Sequence, residues 1–182
     1  HQQEALWQGL RDGSISTVAT DHAPFDFATQ KHMGHPNPDK CLNAEFQPSG
    51  KAGSFSLIPN GIPSIEERIK LLYTEGVLLG KISLETFVAV ASTNAAKVFG
   101  LYPKKGEIAV GSDADIVVFD PQSTSTISVK THHMATDYSA FEGREVSGKI
   151  RDVTVRGRFV VRSGALVVGE GGGRYLARPC TH

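Results

Sequence analysis

The spacing of apolar positions changes several times along the chain and marks out a series of elements. Leu6 and Leu10 fall four residues apart with Trp7 beside them, which predicts a helix from the start of the chain, stopped near Gly13. Ser16 to Phe25 is a short run of small and β-branched residues, with the composition of a strand buried on both faces. Pro24 disfavours helical geometry at Ala23 and lacks a donor, so that strand should stop near Asp21. Asp26 to Pro59 shows no sustained period and is rich in Gly, Pro, Asn and Lys, which predicts a long loop. Helical spacing returns with Ile65, Ile69 and Leu72, opened by a Ser64–Glu67 capping-box pattern and ended near Gly76. A second helix, opened by Ser83, buries Leu84, Phe87, Val88 and Ala91. Ser92-Thr93-Asn94 should break it, with Asn94 capping a shorter helix from Ala95 to Phe99 and Gly100 ending that one.

At Leu101-Tyr102-Pro103 the helical period disappears. Ile108-Ala109-Val110, Asp115 to Phe119, Ser125 to Val129, Val153 to Val155, Phe159 to Arg162 and Leu166 to Val168 read as short strands. Gly-Ser, Asp-Pro, Arg-Gly and Ser-Gly turns separate them. The predicted class is α/β: the closing part of a (β/α)8 barrel followed by a small β-sandwich. The expected division is 1–103 for the barrel part, with an active-site loop over 26–63, then 104–168 for the sandwich and 169–182 for a C-terminal arm. The chain opens inside a helix without a methionine, so a fragment of something longer is expected.

Composition narrows the function classes. The 19 basic and 19 acidic side chains among 182 residues cancel, leaving no charge excess that points to nucleic acid or an anionic membrane. No apolar run approaches the roughly 20 residues of a membrane helix. Cys41 and Cys180 are too few for a disulfide framework, which suits reduced thiols and a cytoplasmic setting.

The chemistry is concentrated where the buried run ends. Asp21 places a carboxylate at the C-terminal lip of a strand, where α/β barrels carry catalytic groups, although an Asp after a strand serves as readily in a turn or a cap. His32, His35 and Cys41 fall short of the four ligands of a structural zinc site. His132 and His133 are adjacent, and on a strand would point to opposite faces, so they read as structural or interface residues.

Four segments together resemble the cyclic amidohydrolases of the dihydropyrimidinase and hydantoinase branch. They are Thr20-Asp21-His22-Ala23-Pro24-Phe25 at the lip, Ile58-Pro59-Asn60-Gly61-Ile62-Pro63 in the substrate loop, Gly106 to Val117, and Thr131-His132-His133 through Gly143. The resemblance implies a (β/α)8 barrel with an attached sandwich, assembled as a homotetramer in the cytoplasm. It also implies hydrolysis of the ring amide of dihydropyrimidines or 5-substituted hydantoins, the chemistry of pyrimidine degradation. Two divalent metal ions, zinc in most members, activate water and polarise the carbonyl. On this resemblance Asp21 is a metal ligand and the catalytic proton carrier, the backbone of Asn60 binds the substrate ring, and His22 gives a supporting hydrogen bond beside the ligand. The family's remaining ligands, a His-x-His pair, a carbamylated lysine and two further histidines, match no position in this chain, so the 182 residues alone are expected to be inactive.

Two other readings compete. Dihydroorotase-like sequences share Thr-Asp-His-Ala-Pro, so a dihydroorotase or allantoinase would fit the lip, while the Asp137 to Gly143 segment favours the hydantoinase branch. Some relatives keep the fold as assembly or signalling proteins without catalysis; the presence of Asp21 argues against that reading.

Overall fold

The computed structural model describes residues 2–34, 55–169 and 171–178. His35, Cys41 and Cys180, with much of the expected loop, lie outside the described residues. Two compact units partition the chain.

The first unit comprises His1–Ala19, Ile69–Ser125 and Val146–His182. Helix α1 (Gln2–Asp12) ends at Gly13, whose φ of +82° suits a residue without Cβ, and the Asp12 carboxylate takes up the Ser14 amide at 3.0 Å. Leu6 does not share the buried face with Leu10: it is 59% exposed, and Trp7 fills the core side instead. The run from Ser16 does not form the expected strand. Its Val18 amide donates to Val90 O at 3.0 Å, but a strand requires repeated pairing along an edge, and no residue from Ser16 to Phe25 lies in a strand.

Helix α2 (Arg68–Leu72) passes into a π-helical turn, Tyr73–Val77. Helix α3 (Leu84–Val88) opens as expected, with Ser83 Oγ accepting the Thr86 amide at 3.1 Å. The expected break after α3 is absent: a second π-helical turn, Ala89–Thr93, carries the chain on into α4 (Asn94–Val98). Thr93 and Asn94 keep right-handed helical dihedrals, and Asn94 Nδ2 donates to Ser16 O at 2.9 Å, so Asn94 is no cap. Leu10, Leu72, Tyr73, Ile82, Phe87 and Val90 form the buried core. Phe119 packs edge-on against Tyr73 at 4.9 Å between ring centroids, and Phe87 lies 6.0 Å from Tyr73.

The sheet runs in the order β1-β2-β3-β4, with β1 (Val117–Thr126), β2 (Glu145–Val155), β3 (Arg158–Arg162) and β4 (Ala165–Leu166). The two hairpins at its C-terminal end follow the predicted turns. Arg156-Gly157 and Ser163-Gly164 each place two residues at positive φ, which matches the right-handed twist of the strands they join. Val155 faces Arg158 across the first and Arg162 faces Ala165 across the second. Strand β1 runs straight through Asp120-Pro121, where a turn was expected. It lies at the sheet edge, where a proline's missing donor breaks no interior ladder. Ile108-Ala109-Val110 forms no strand and is exposed, so the described residues contain one sheet rather than two facing layers.

The second unit comprises Thr20–Arg68 and Thr126–Glu145. Its buried residues include the polar Ser64, Glu67 and Ser139 beside Pro63 and Ile127. Ile127 closes the 126–145 segment on itself: its amide donates to Arg144 O and its carbonyl accepts from Gly143 N. The Glu142 carboxylate takes the Ser128 hydroxyl at 2.8 Å and the Val129 amide at 2.7 Å. The Ser64–Glu67 capping box does not form. Ser64 Oγ donates to Thr20 O at 3.2 Å and Glu67 is buried beside the Ser139 hydroxyl, so tertiary contacts claim both side chains and the helix starts later, at Arg68.

Candidate active site

Asp21 sits at φ +46°, in the left-handed region that Asp enters more readily than most residues with a Cβ. A residue held there is a point of stored strain, and such points cluster at functional sites. Its side chain is exposed, and no described residue donates a hydrogen bond to the carboxylate. It is therefore not spent as a helix cap or a turn staple within the described residues.

The next residues tie this lip to the segment that carries Asn60. His22 Nδ1 accepts the Ser64 amide at 3.0 Å and lies 3.3 Å from that of Ile65, so in the neutral imidazole the ring proton sits on Nε2. The Ala23 amide donates to Ile62 O at 3.2 Å. Gly61 packs directly on Ala23: a Cβ at Gly61, whose φ is +99°, would lie 2.3 Å from that of Ala23. Only glycine allows this crossing of lip and loop.

Lys31, to which the sequence assigned no role, closes the loop from the other side. Its Nζ donates to Pro59 O at 2.5 Å and to Gly61 O, and stands 5.3 Å over the Phe25 ring. Asn60 between them is exposed, and neither its amide nor its carbonyl has a partner among the described residues. A free donor and acceptor on one residue form the complementary pair for a cyclic amide, which presents one C=O and one N–H.

Asp137 anchors the segment beyond the lip, its oxygens accepting the amides of Phe27 at 2.6 Å and Ala28 at 2.9 Å. Burial pushes this carboxyl up, but the Ala28 and Phe27 amides outweigh it and hold it below the ordinary value. Phe27 packs 5.6 Å from Tyr138, whose hydroxyl is pushed up by burial and then by the Asp137 charge. His132 and His133 go to separate partners, Thr136 O at 3.1 Å and the Glu66 carboxylate at 3.0 Å, so they do not converge.

Among the described residues no three His, Cys, Asp or Glu side chains come together to hold a metal. The uncommitted Asp21 carboxylate is a hard oxygen donor suited to a divalent cation, but it supplies one ligand and not a closed site. Lys31 and Asp137 were invisible to motif reading because each acts on backbone groups far along the chain. Both lie in segments already singled out, Lys31 in the loop over 26–63 and Asp137 in the run from Thr131 to Gly143.

Comparison with known proteins places the chain in a family. The D-hydantoinase of Geobacillus stearothermophilus is 46% identical over 176 residues, covering 97% of this chain and 34% of that protein. The dihydropyrimidinase of Rattus norvegicus is 41% identical over 169 residues, 93% of this chain and 29% of that protein. The solved D-hydantoinase (dihydropyrimidinase) from Thermus sp. superimposes with a TM-score of 0.82 at 50% identity, over 97% of this chain and 34% of that one. The chain thus spans about a third of the length of the relatives it matches. A family model for the amidohydrolase family covers residues 1–160, and by that match the chain belongs to that family.

Proposed function

We propose that the whole protein carrying these residues hydrolyses the ring amide of dihydropyrimidines or 5-substituted hydantoins to N-carbamoyl amino acids. The observation that carries this reading is the pairing of two uncommitted groups on one framework. The Asp21 carboxylate and the Asn60 peptide groups have no partners among the described residues, and His22 bonds the lip to the residues just beyond Asn60. The names of the relatives, D-hydantoinase and dihydropyrimidinase, support the same substrate class.

In this reading the Asn60 amide and carbonyl hold the ring amide and set its carbonyl toward Asp21. Two divalent metal ions, zinc by family resemblance, are held by Asp21 together with donors outside the described residues. When bound they lower the pKa of water toward neutrality and polarise the scissile carbonyl. Asp21 takes the proton from the attacking water as the C–O bond forms. It returns that proton to the ring nitrogen as the C–N bond breaks, so no charged amide anion has to leave. His22 is a positioning residue, its ring fixed by two backbone amides. The accompanying architecture is a barrel part over 1–103 with its loop at 26–63, a sandwich over 104–168 and an arm over 169–182, in a cytoplasmic homotetramer.

The test is a substrate panel on the whole metallated protein. Hydantoin and dihydrouracil should be opened, and Asp21→Asn should lower kcat by about a thousandfold with the fold intact. Preference for dihydroorotate or allantoin would reassign the substrate, and full activity in Asp21→Asn would remove the carboxylate from the reaction.

A further inference from the structure

We propose that Lys31 is a positioning residue for the cyclic substrate: its ammonium bridges the carbonyls on either side of Asn60 and so aims the peptide groups that bind the ring. The inference rests on the ring-binding role proposed for Asn60.

Peptide geometry makes the link. In a planar trans peptide the carbonyl and the amide point in opposite directions. Lys31 Nζ draws in the carbonyl of Pro59, and the far end of that same peptide unit is the Asn60 amide. Fixing the one therefore turns the other away from the lysine. The Gly61 carbonyl is drawn to the same ammonium, leaving the intervening Asn60 carbonyl uncommitted among the described residues. Three observations indicate that the arrangement is built. Lys31 is half-buried, it reaches both flanking carbonyls at once, and its charge rests over the ring of Phe25, which belongs to the lip motif. An ammonium has three donors and no acceptor, so it can bind two carbonyls without competing for the amide that the ring needs. The Ala23–Ile62 bond fixes the loop just beyond Asn60, and Lys31 adds a hold on the two carbonyls that flank it, which limits rotation of the peptide units between them.

Because the ring amide is held before and during reaction alike, loss of the clamp should weaken binding and leave the chemical step largely alone. In the whole metallated protein, Lys31→Met keeps the length of the stem and removes the donors. KM for hydantoin and dihydrouracil should rise about tenfold, the equivalent of one charged hydrogen bond, with kcat changed by less than about threefold. Lys31→Arg restores the donors and should bring KM most of the way back. Calorimetry of hydantoin binding to the metal-free protein should show the same loss in Lys31→Met, independent of turnover. Lys31→Gln serves as the second variant should methionine disturb folding. An unchanged KM, or a fall in kcat alone, in a variant that melts like wild type overturns the role of Lys31 while the proposed activity stands. Wild-type protein that neither binds nor opens either ring overturns the activity itself, and the role of Lys31 with it.

Discussion

Each of the two units is stabilised internally by a different kind of force. In the first, apolar side chains do the work: Tyr73 meets Phe87 and Phe119 edge to face, and Leu10, Leu72, Ile82 and Val90 complete the core. In the second, buried positions are largely polar, and side chains such as His22, Lys31, Asp137 and Glu142 satisfy backbone groups of loops that have no regular structure. An apolar core tolerates change in detail if its volume is kept. A loop fixed by single donors and acceptors has no such reserve, because each lost partner leaves a specific polar group unsatisfied. The second kind of framework can leave chosen groups, here the Asp21 carboxylate and the Asn60 peptides, without partners among the described residues.

If that contrast holds, core variants should change stability and leave substrate affinity alone. Phe87→Ala removes a buried ring that touches two other aromatics and should cost about 3–5 kcal/mol of stability, read from denaturant unfolding of the whole protein. KM measured well below the transition should stay at the wild-type value. A KM that moves with Phe87 would mean that the aromatic cluster also tunes the site, and the contrast between the units would fail.

Gly148→Ala tests the same core from its underside. A Cβ there would lie 2.0 Å from Phe119 Cζ, and φ is +95°, so crowding and left-handed strain act together. About 3 kcal/mol of destabilisation is expected, visible as a lower denaturation midpoint. A near-neutral result would show that the Phe119 ring can swing away and that the cluster is looser than its edge-on contacts imply.

How much of this was legible in the sequence follows the same divide. Local signals were sufficient where one or two residues decide the geometry. Gly13 ends α1, Ser83 caps α3, and Arg156-Gly157 and Ser163-Gly164 form tight hairpins. Signals that depend on distant partners misled. Ser64 and Glu67 have the spacing of a capping box, yet Thr20 and Ser139 claim them; Asn94 has the chemistry of a cap, yet it bonds Ser16. The run before Asp21 has the composition of a strand, but composition does not supply a neighbouring edge. Asp21, His22 and Asn60 could be singled out as candidates because they fall in compact motifs. Lys31 could not, since a lysine in a polar loop reads as solvated until its carbonyl partners, 28 and 30 residues away, are known.

His22 moves the comparison into the polar unit. His22→Ala leaves the Ser64 amide, in a buried residue, without its acceptor, at a cost of about 1–3 kcal/mol. In contrast to Phe87→Ala, the smaller loss of stability should come with a clear fall in kcat/KM for cyclic amides. His22→Gln, whose side-chain oxygen can accept the same amide, should recover part of both. Recovery of stability without activity would show that the ring does more than hold the loop.

The smallest effect belongs to Asp137, and pH supplies it without mutation. Its folded carboxyl lies below the ordinary value of 3.8, because the Ala28 and Phe27 amides outweigh the effect of burial. A group depressed in the folded state stabilises that state fully above its unfolded value, and the contribution fades as pH falls through the folded one. Hydrogen exchange at Phe27 and Ala28 should thus be independent of the state of Asp137 from neutrality down to about pH 4, and lose protection only below that. Asp137→Asn, with one acceptor oxygen in place of two, should give a comparable loss at neutral pH, below about 1 kcal/mol for an exposed pair of bonds. Equal protection in Asp137→Asn and wild type at neutral pH would mean that the start of the loop is held by the Phe27–Tyr138 contact instead, so that apolar packing reaches into the polar unit after all.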